Sequence, residues 1–68
     1  MKISARNQLK GRIVEITKGA TTAHVRIDIG GAIVTASITN AAVDDLQLTV
    51  GKEAYAVVKA SDVMIAID

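Results

Sequence analysis

Ala23-His24-Val25-Arg26-Ile27-Asp28-Ile29-Gly30-Gly31-Ala32-Ile33-Val34-Thr35-Ala36-Ser37-Ile38 decides the fold class. Ala23, Val25, Ile27 and Ile29 alternate with His24, Arg26 and Asp28, the period-two pattern of a strand buried on one face. Gly30-Gly31 is a two-residue hairpin signal. Beyond it Ala32, Val34, Ala36 and Ile38 stay apolar while Thr35, Ser37 and Thr39 take the other face. The two runs read as a β-hairpin.

On the N-terminal side, Leu9 to Lys18 is strand-like but changes parity. Leu9, Gly11 and Ile13 share one face and Val14 and Ile16 the other, so the pattern predicts a bulge near Gly11–Val14 or burial on both faces. Gly19 marks a turn. On the C-terminal side, Asn40-Ala41-Ala42-Val43-Asp44-Asp45-Leu46 breaks the alternation. It reads as a helix of about two turns, with Asn40 as cap and the acidic pair in its first turns. Val50-Gly51-Lys52 is a turn. Ala54, Ala56 and Val58 against Tyr55 and Val57 form a fourth strand. Ala60-Ser61-Asp62 is a short connection, and Val63, Ile65 and Ile67 form a fifth strand. Five strands with one helix between the third and fourth is the element order of an OB-fold, a small Greek-key barrel. The expected class is therefore all-β with one short helix, in a single domain over residues 1–68.

Half of the 68 residues are apolar, but mostly Ala, Val and Ile, with Tyr55 the only aromatic. A core of such small side chains rarely yields more than about 3–5 kcal/mol of net stability at this length. No cysteine is present to add a disulfide or thiolate metal site. Both parities are apolar at Ile13-Val14 and Val57-Val58, more apolar face than one barrel interior absorbs. Oligomerisation is the expected remedy. No apolar run approaches the ~20 residues needed to span a membrane, and Ser4 ends any signal-peptide pattern. A cytoplasmic protein is expected.

Two polar stretches hold the chemistry. Ser4-Ala5-Arg6-Asn7-Gln8-Leu9-Lys10-Gly11 brings hydroxyl, amide and guanidinium donors together just before the first strand. Val58-Lys59-Ala60-Ser61-Asp62-Val63 places Lys59 and Ser61 between two strand-like runs. Both are donor-rich and contain no catalytic group, and they read as two walls of one anion pocket. Arg6 offers a planar fork suited to two oxygens of one oxyanion. Ser4, Thr39 and Ser61 offer hydroxyls, and segments such as Ala5-Arg6-Asn7 and Lys59-Ala60-Ser61 can aim successive backbone N–H groups at an anion.

Other classes fit less well. A nucleic-acid-binding OB-fold, the alternative reading, needs stacking aromatics and a basic groove, against one Tyr and a net charge of +1. An enzyme needs a nucleophile–base pair or paired carboxylates. One histidine, no cysteine and scattered acids supply neither. His24 has no second His or Cys to join it on a metal, and Asp44-Asp45 reads as a solvated helix face.

The opening stretch, Ile38-Thr39 and Val58-Lys59-Ala60-Ser61-Asp62-Val63-Met64-Ile65 together resemble the molybdenum-pterin-binding proteins, or molbindins, along essentially the whole chain. The resemblance implies an OB-like barrel assembled as a hexamer, a trimer of dimers, storing molybdate or tungstate for intracellular molybdenum homeostasis. It implies interface sites lined by Ser4, Arg6, Thr39, Lys59 and Ser61, with the backbone of Ala5, Asn7 and Ala60 between them. The metal is then held as an oxyanion, without direct protein–metal ligands. A second class of site on the threefold axes maps to Gly19, Ala20, Thr21 and Thr22. Relatives often carry Val-Asn in place of Thr21-Thr22 and a Ser in place of Ala42. Nothing resembles a pterin pocket, which wants an aromatic-lined cleft. The expected ligand is the free oxyanion.

Overall fold

The computed structural model describes residues 1–68. In order it has β1 (Asn7–Lys18), β2 (Thr22–Asp28), β3 (Ile33–Thr39), α1 (Asn40–Asp45), β4 (Glu53–Val58) and one 3-10 turn at Ala60–Asp62. The strands form one antiparallel sheet in the order β3-β2-β1-β4. The hairpin forms as its glycines demand. Gly30 and Gly31 both have positive φ, the conformation a two-residue hairpin loop requires, and Ile29 N–H donates to the Ala32 carbonyl at 3.0 Å.

The parity change in β1 is a bulge at Val14. Ile13 pairs with Ile27 but Glu15 with Arg26. The extra residue turns Val14 outward and puts Ile13 and Ile16 on one face, where both meet the core. β1 also changes partner midway, pairing with β4 up to Arg12 and with β2 from there on. Gly11 sits at the changeover. A Cβ there would press on the Asp28 carbonyl oxygen and lie 2.7 Å from Ile27 Cγ2, so the sheet can curl only around a glycine.

Three expectations need correction. Thr39, not Asn40, caps the helix: its Oγ1 accepts from Ala42 N–H at 3.0 Å, and Asn40 is the first helical residue. The acidic pair closes the helix rather than opening it, where the macrodipole disfavours it. Lys18 offsets this by pairing with Asp44 at 2.7 Å. Finally, there are four strands rather than five. Val63–Asp68 joins no strand, and Met64, Ile65 and Ile67 are 92%, 87% and 93% exposed. Alternating apolarity encodes which side of a strand is buried, but not whose edge the strand joins.

The core is small: Ile13, Ala23, Val25, Ile27, Val43 and Ala56 are its buried residues. Above it the curled sheet stays open. β3 and β4 are its two unpaired edges. Val34, Ala36 and Ile38 on one edge and Ala54, Ala56 and Val58 on the other line an apolar trough of about 600 Å³. No helix is long and apolar enough to cross a membrane.

Candidate functional site

The pairing of β1 with β4 decides where the polar stretches go. Asn7 lies opposite Val58, so Ser4, Ala5, Arg6 and Asn7 run in beside Lys59, Ala60 and Ser61 as these leave β4. The two walls meet at one corner of the sheet, at the start of β1.

The local hydrogen bonding there has a consistent sense. Arg6 Nε donates to the Ser4 carbonyl at 3.0 Å and Nη2 to that of Ile3 at 3.4 Å. Gln8 Nε2 donates to the Ala5 carbonyl at 3.1 Å. Across the corner, the Lys59 and Ala60 carbonyls accept from Asp62 and Val63 N–H. The carbonyls of both walls are therefore largely occupied, whereas the N–H groups of Ser4, Ala5, Arg6, Lys59, Ala60 and Ser61 donate to no backbone acceptor. A guanidinium has five N–H donors, and two are used, so the Nη1 edge of Arg6 stays free. Neither Arg6 nor Lys59 belongs to any of the chain's ion pairs, which join Lys10–Glu53, Lys18–Asp44 and Arg26–Glu15. Unpaired cations, hydroxyls and free amides with few free acceptors suit an anion.

Thr39 lies elsewhere. It pairs with Thr22, at the far end of β1, beside the turn Gly19-Ala20-Thr21. Twelve residues of β1 separate the two corners, up to about 40 Å of strand at ~3.3 Å each. Within one chain Thr39 therefore joins Gly19, Ala20, Thr21 and Thr22 rather than Ser4 and Arg6. Its Oγ1 accepts from Ala42, which leaves its single O–H able to donate. Lys18, the nearest cation in sequence, is engaged by Asp44. The second corner thus offers hydroxyl and amide donors without a free cation.

Sequence reasoning missed Gln8 and Asn40, the two amide side chains that hold these turns. Gln8 reaches back three residues to Ala5. Asn40 Nδ2 donates to the Gly19 carbonyl at 3.0 Å, and Asn40 N–H to that of Thr21 at 2.9 Å. The place of Gln8 in the short polar stretch, three residues after Ala5, was the available signal for the first. The second contact spans 21 residues and has no local signature.

Residues 3–65 match the TOBE domain family. A "probable molybdenum-pterin-binding protein" of Haemophilus influenzae is 54% identical over the full length of both chains. Molybdenum-pterin-binding protein 3 of Clostridium pasteurianum is 50% identical over 96% of this chain and 97% of its own. Among solved structures, a molybdate-binding protein from Sporomusa ovata superposes with a TM-score of 0.93 at 39% identity, covering 98% of this chain and all of the other. The cytoplasmic molybdate-binding protein ModG, with molybdate bound, superposes at 0.89 with 40% identity, covering 94% of this chain and 46% of ModG. With these matches spanning its whole length, the chain belongs to the TOBE-domain family and, within it, to the molybdenum-pterin-binding proteins.

Proposed function

We propose that this protein binds molybdate or tungstate as the intact dianion at the Ser4–Asn7 and Lys59–Ser61 corner, and stores it in the cytoplasm. The observation that carries this reading is the sense of the hydrogen bonds there. Arg6 and Gln8 occupy the carbonyls of Ile3, Ser4 and Ala5, so the corner faces outward with donors and two unpaired cations. A tetrahedral oxyanion accepts through every oxygen and undergoes no reaction, so no nucleophile or base is required. Arg6, Lys59, Ser4 and Ser61 supply charge and hydroxyls, and the backbone of Ala5, Asn7 and Ala60 shapes the pocket.

Assembly completes the site. The open trough between β3 and β4 and the bare Val63–Ile67 tail are complementary: one lacks a strand and the other lacks a sheet. Seating the tail in a neighbouring copy's trough buries residues worth ~1.5–3 kcal/mol each and closes both barrels. A neighbour can then bring its Thr39 to the Arg6 corner. A hexamer, arranged as a trimer of dimers, places the Gly19–Thr22 turns around threefold axes as a second class of site.

Native mass spectrometry with and without molybdate tests the whole reading. The expected result is a hexamer that gains oxyanions in two classes, one of them lost in Arg6→Ala. A 7.1 kDa monomer that takes up no molybdate would overturn it.

A further inference from the structure

At the second corner, one residue sets the electrostatic sense of the turn. Counting the carbonyls from Gly19 to Thr22, Gly19 accepts from Asn40 Nδ2 at 3.0 Å. Thr21 accepts from Asn40 N–H at 2.9 Å, and Thr22 from Gly19 N–H at 2.7 Å. Only the Ala20 carbonyl accepts nothing. The Ala20 and Thr21 N–H groups, by contrast, donate to no acceptor in the chain. They stand on an exposed turn beside the Thr21, Thr22 and Thr39 hydroxyls. Against the one free carbonyl of Ala20 stand two free amides and three hydroxyls, so the turn presents mainly donors.

Asn40 achieves this at a cost to itself. Its Oδ1 is buried and accepts no hydrogen bond, an arrangement that native structures avoid. Turning the amide over would aim Oδ1 at the Gly19 carbonyl, oxygen against oxygen. The side chain is thus held for its N–H alone.

Resting on the reading of the Gly19–Thr22 turn as a second oxyanion site, we infer that Asn40 is its positioning residue. The Asn40 side-chain amide covers the Gly19 carbonyl, an acceptor that would repel an oxyanion, while its backbone N–H, which any residue but proline would supply, covers that of Thr21, so the turn faces the anion with the Ala20 and Thr21 amides. Asn40 itself touches no ligand. A neutral amide is the fitting choice, because a carboxylate in its place would oppose the Gly19 carbonyl and the incoming dianion together.

The experiment is a titration of the full-length chain with sodium molybdate, followed by calorimetry and by backbone amide shifts. The parent is compared with Asn40→Ala, Asn40→Asp, Asn40→His and Arg6→Ala. In the parent, the Ala20 and Thr21 amides shift in a phase that persists in Arg6→Ala. Asn40→Ala and Asn40→Asp weaken that phase about tenfold or more, as expected when hydrogen-bonded groups lose their partner. The Arg6-dependent phase, whose charged groups Arg6 and Lys59 lie a full strand away within each chain, is weakened clearly less than the Ala20–Thr21 phase. Asn40→His, whose ring Nδ1–H lies near the place of the Asn amide nitrogen, retains the phase, which separates donation from space-filling and keeps the test open if the Ala or Asp variant unfolds. Parental affinity at Ala20 and Thr21 in Asn40→Ala or Asn40→Asp, or loss in a folded Asn40→His, would overturn the role of Asn40 while leaving the corner a site. If those amides fail to shift in the parent, the corner is no anion site and both readings fall.

Discussion

The two ends of β1 reach similar chemistry by different means. At the first, Arg6 and Lys59 contribute charge, and the loop is held by side chains from its own neighbourhood, with Arg6 reaching Ser4 and Ile3 and Gln8 reaching Ala5. At the second, the one nearby cation, Lys18, is spent on Asp44, and the turn is held by Asn40 from 21 residues away. The first corner is charged and locally built; the second is neutral and built by the fold. A dianion should therefore bind more tightly at the first. Occupancy of the second should depend more on the integrity of the sheet.

The largest effect is expected from the tail. Ile65→Asp places a charge where the trough of a neighbour would bury it, and desolvating an unpaired carboxylate costs several kcal/mol. Sedimentation should show the assembly dissociating. If the first site needs Thr39 of a neighbour, tight molybdate binding should disappear with it. An Ile65→Asp hexamer would mean that the trough is closed by something other than the tail.

Next comes Arg6→Ala. Removing one member of a charge pair with a desolvated dianion costs about 2–5 kcal/mol, roughly thirty-fold or more in affinity. Arg6→Lys should recover only part, because a point charge lacks the planar fork. Calorimetry should show the loss confined to the first class of site. An equal loss at both classes would erase the distinction between the corners.

Sulfate is the third probe. It carries the same charge and shape as molybdate at smaller size, so donors fixed for the longer metal–oxygen bonds leave some contacts unmade. At ~1–3 kcal/mol per unmade buried bond, two such bonds give roughly a thirty-fold or larger preference for molybdate. Competition calorimetry in sulfate buffer measures this. Equal competition would mean that neither corner is size-selective.

The smallest effects come from single hydroxyls. Ser61→Ala should weaken the first class of site by about 1 kcal/mol, and by up to about 3 if the anion's charge strengthens the bond. Thr22→Val should do the same at the second class alone. If Ser61→Ala matched Arg6→Ala in cost, charge would not be what separates the two corners.

Most of the sheet was legible in the residues because burial on one face leaves a period-two trace. The hairpin at Gly30-Gly31, the bulge near Val14 and the short helix after Thr39 follow from parity, glycine and a break in alternation. So did the two donor-rich walls, since Arg6 and Ser61 stand in short polar stretches beside apolar strands. Pairing was not legible. Which edge takes Val63–Ile67, and that Thr39 sits with Gly19 rather than Arg6, depend on contacts between residues far apart in the chain. The same holds for Asn40. Its identity suggested a cap, but Thr39 Oγ1 had the better reach to Ala42, and only the folded sheet brought the Gly19 carbonyl to its amide. Side-chain periodicity is a local property and is written in the sequence; hydrogen-bond partners across a curled sheet are set by register, which only the tertiary structure decides.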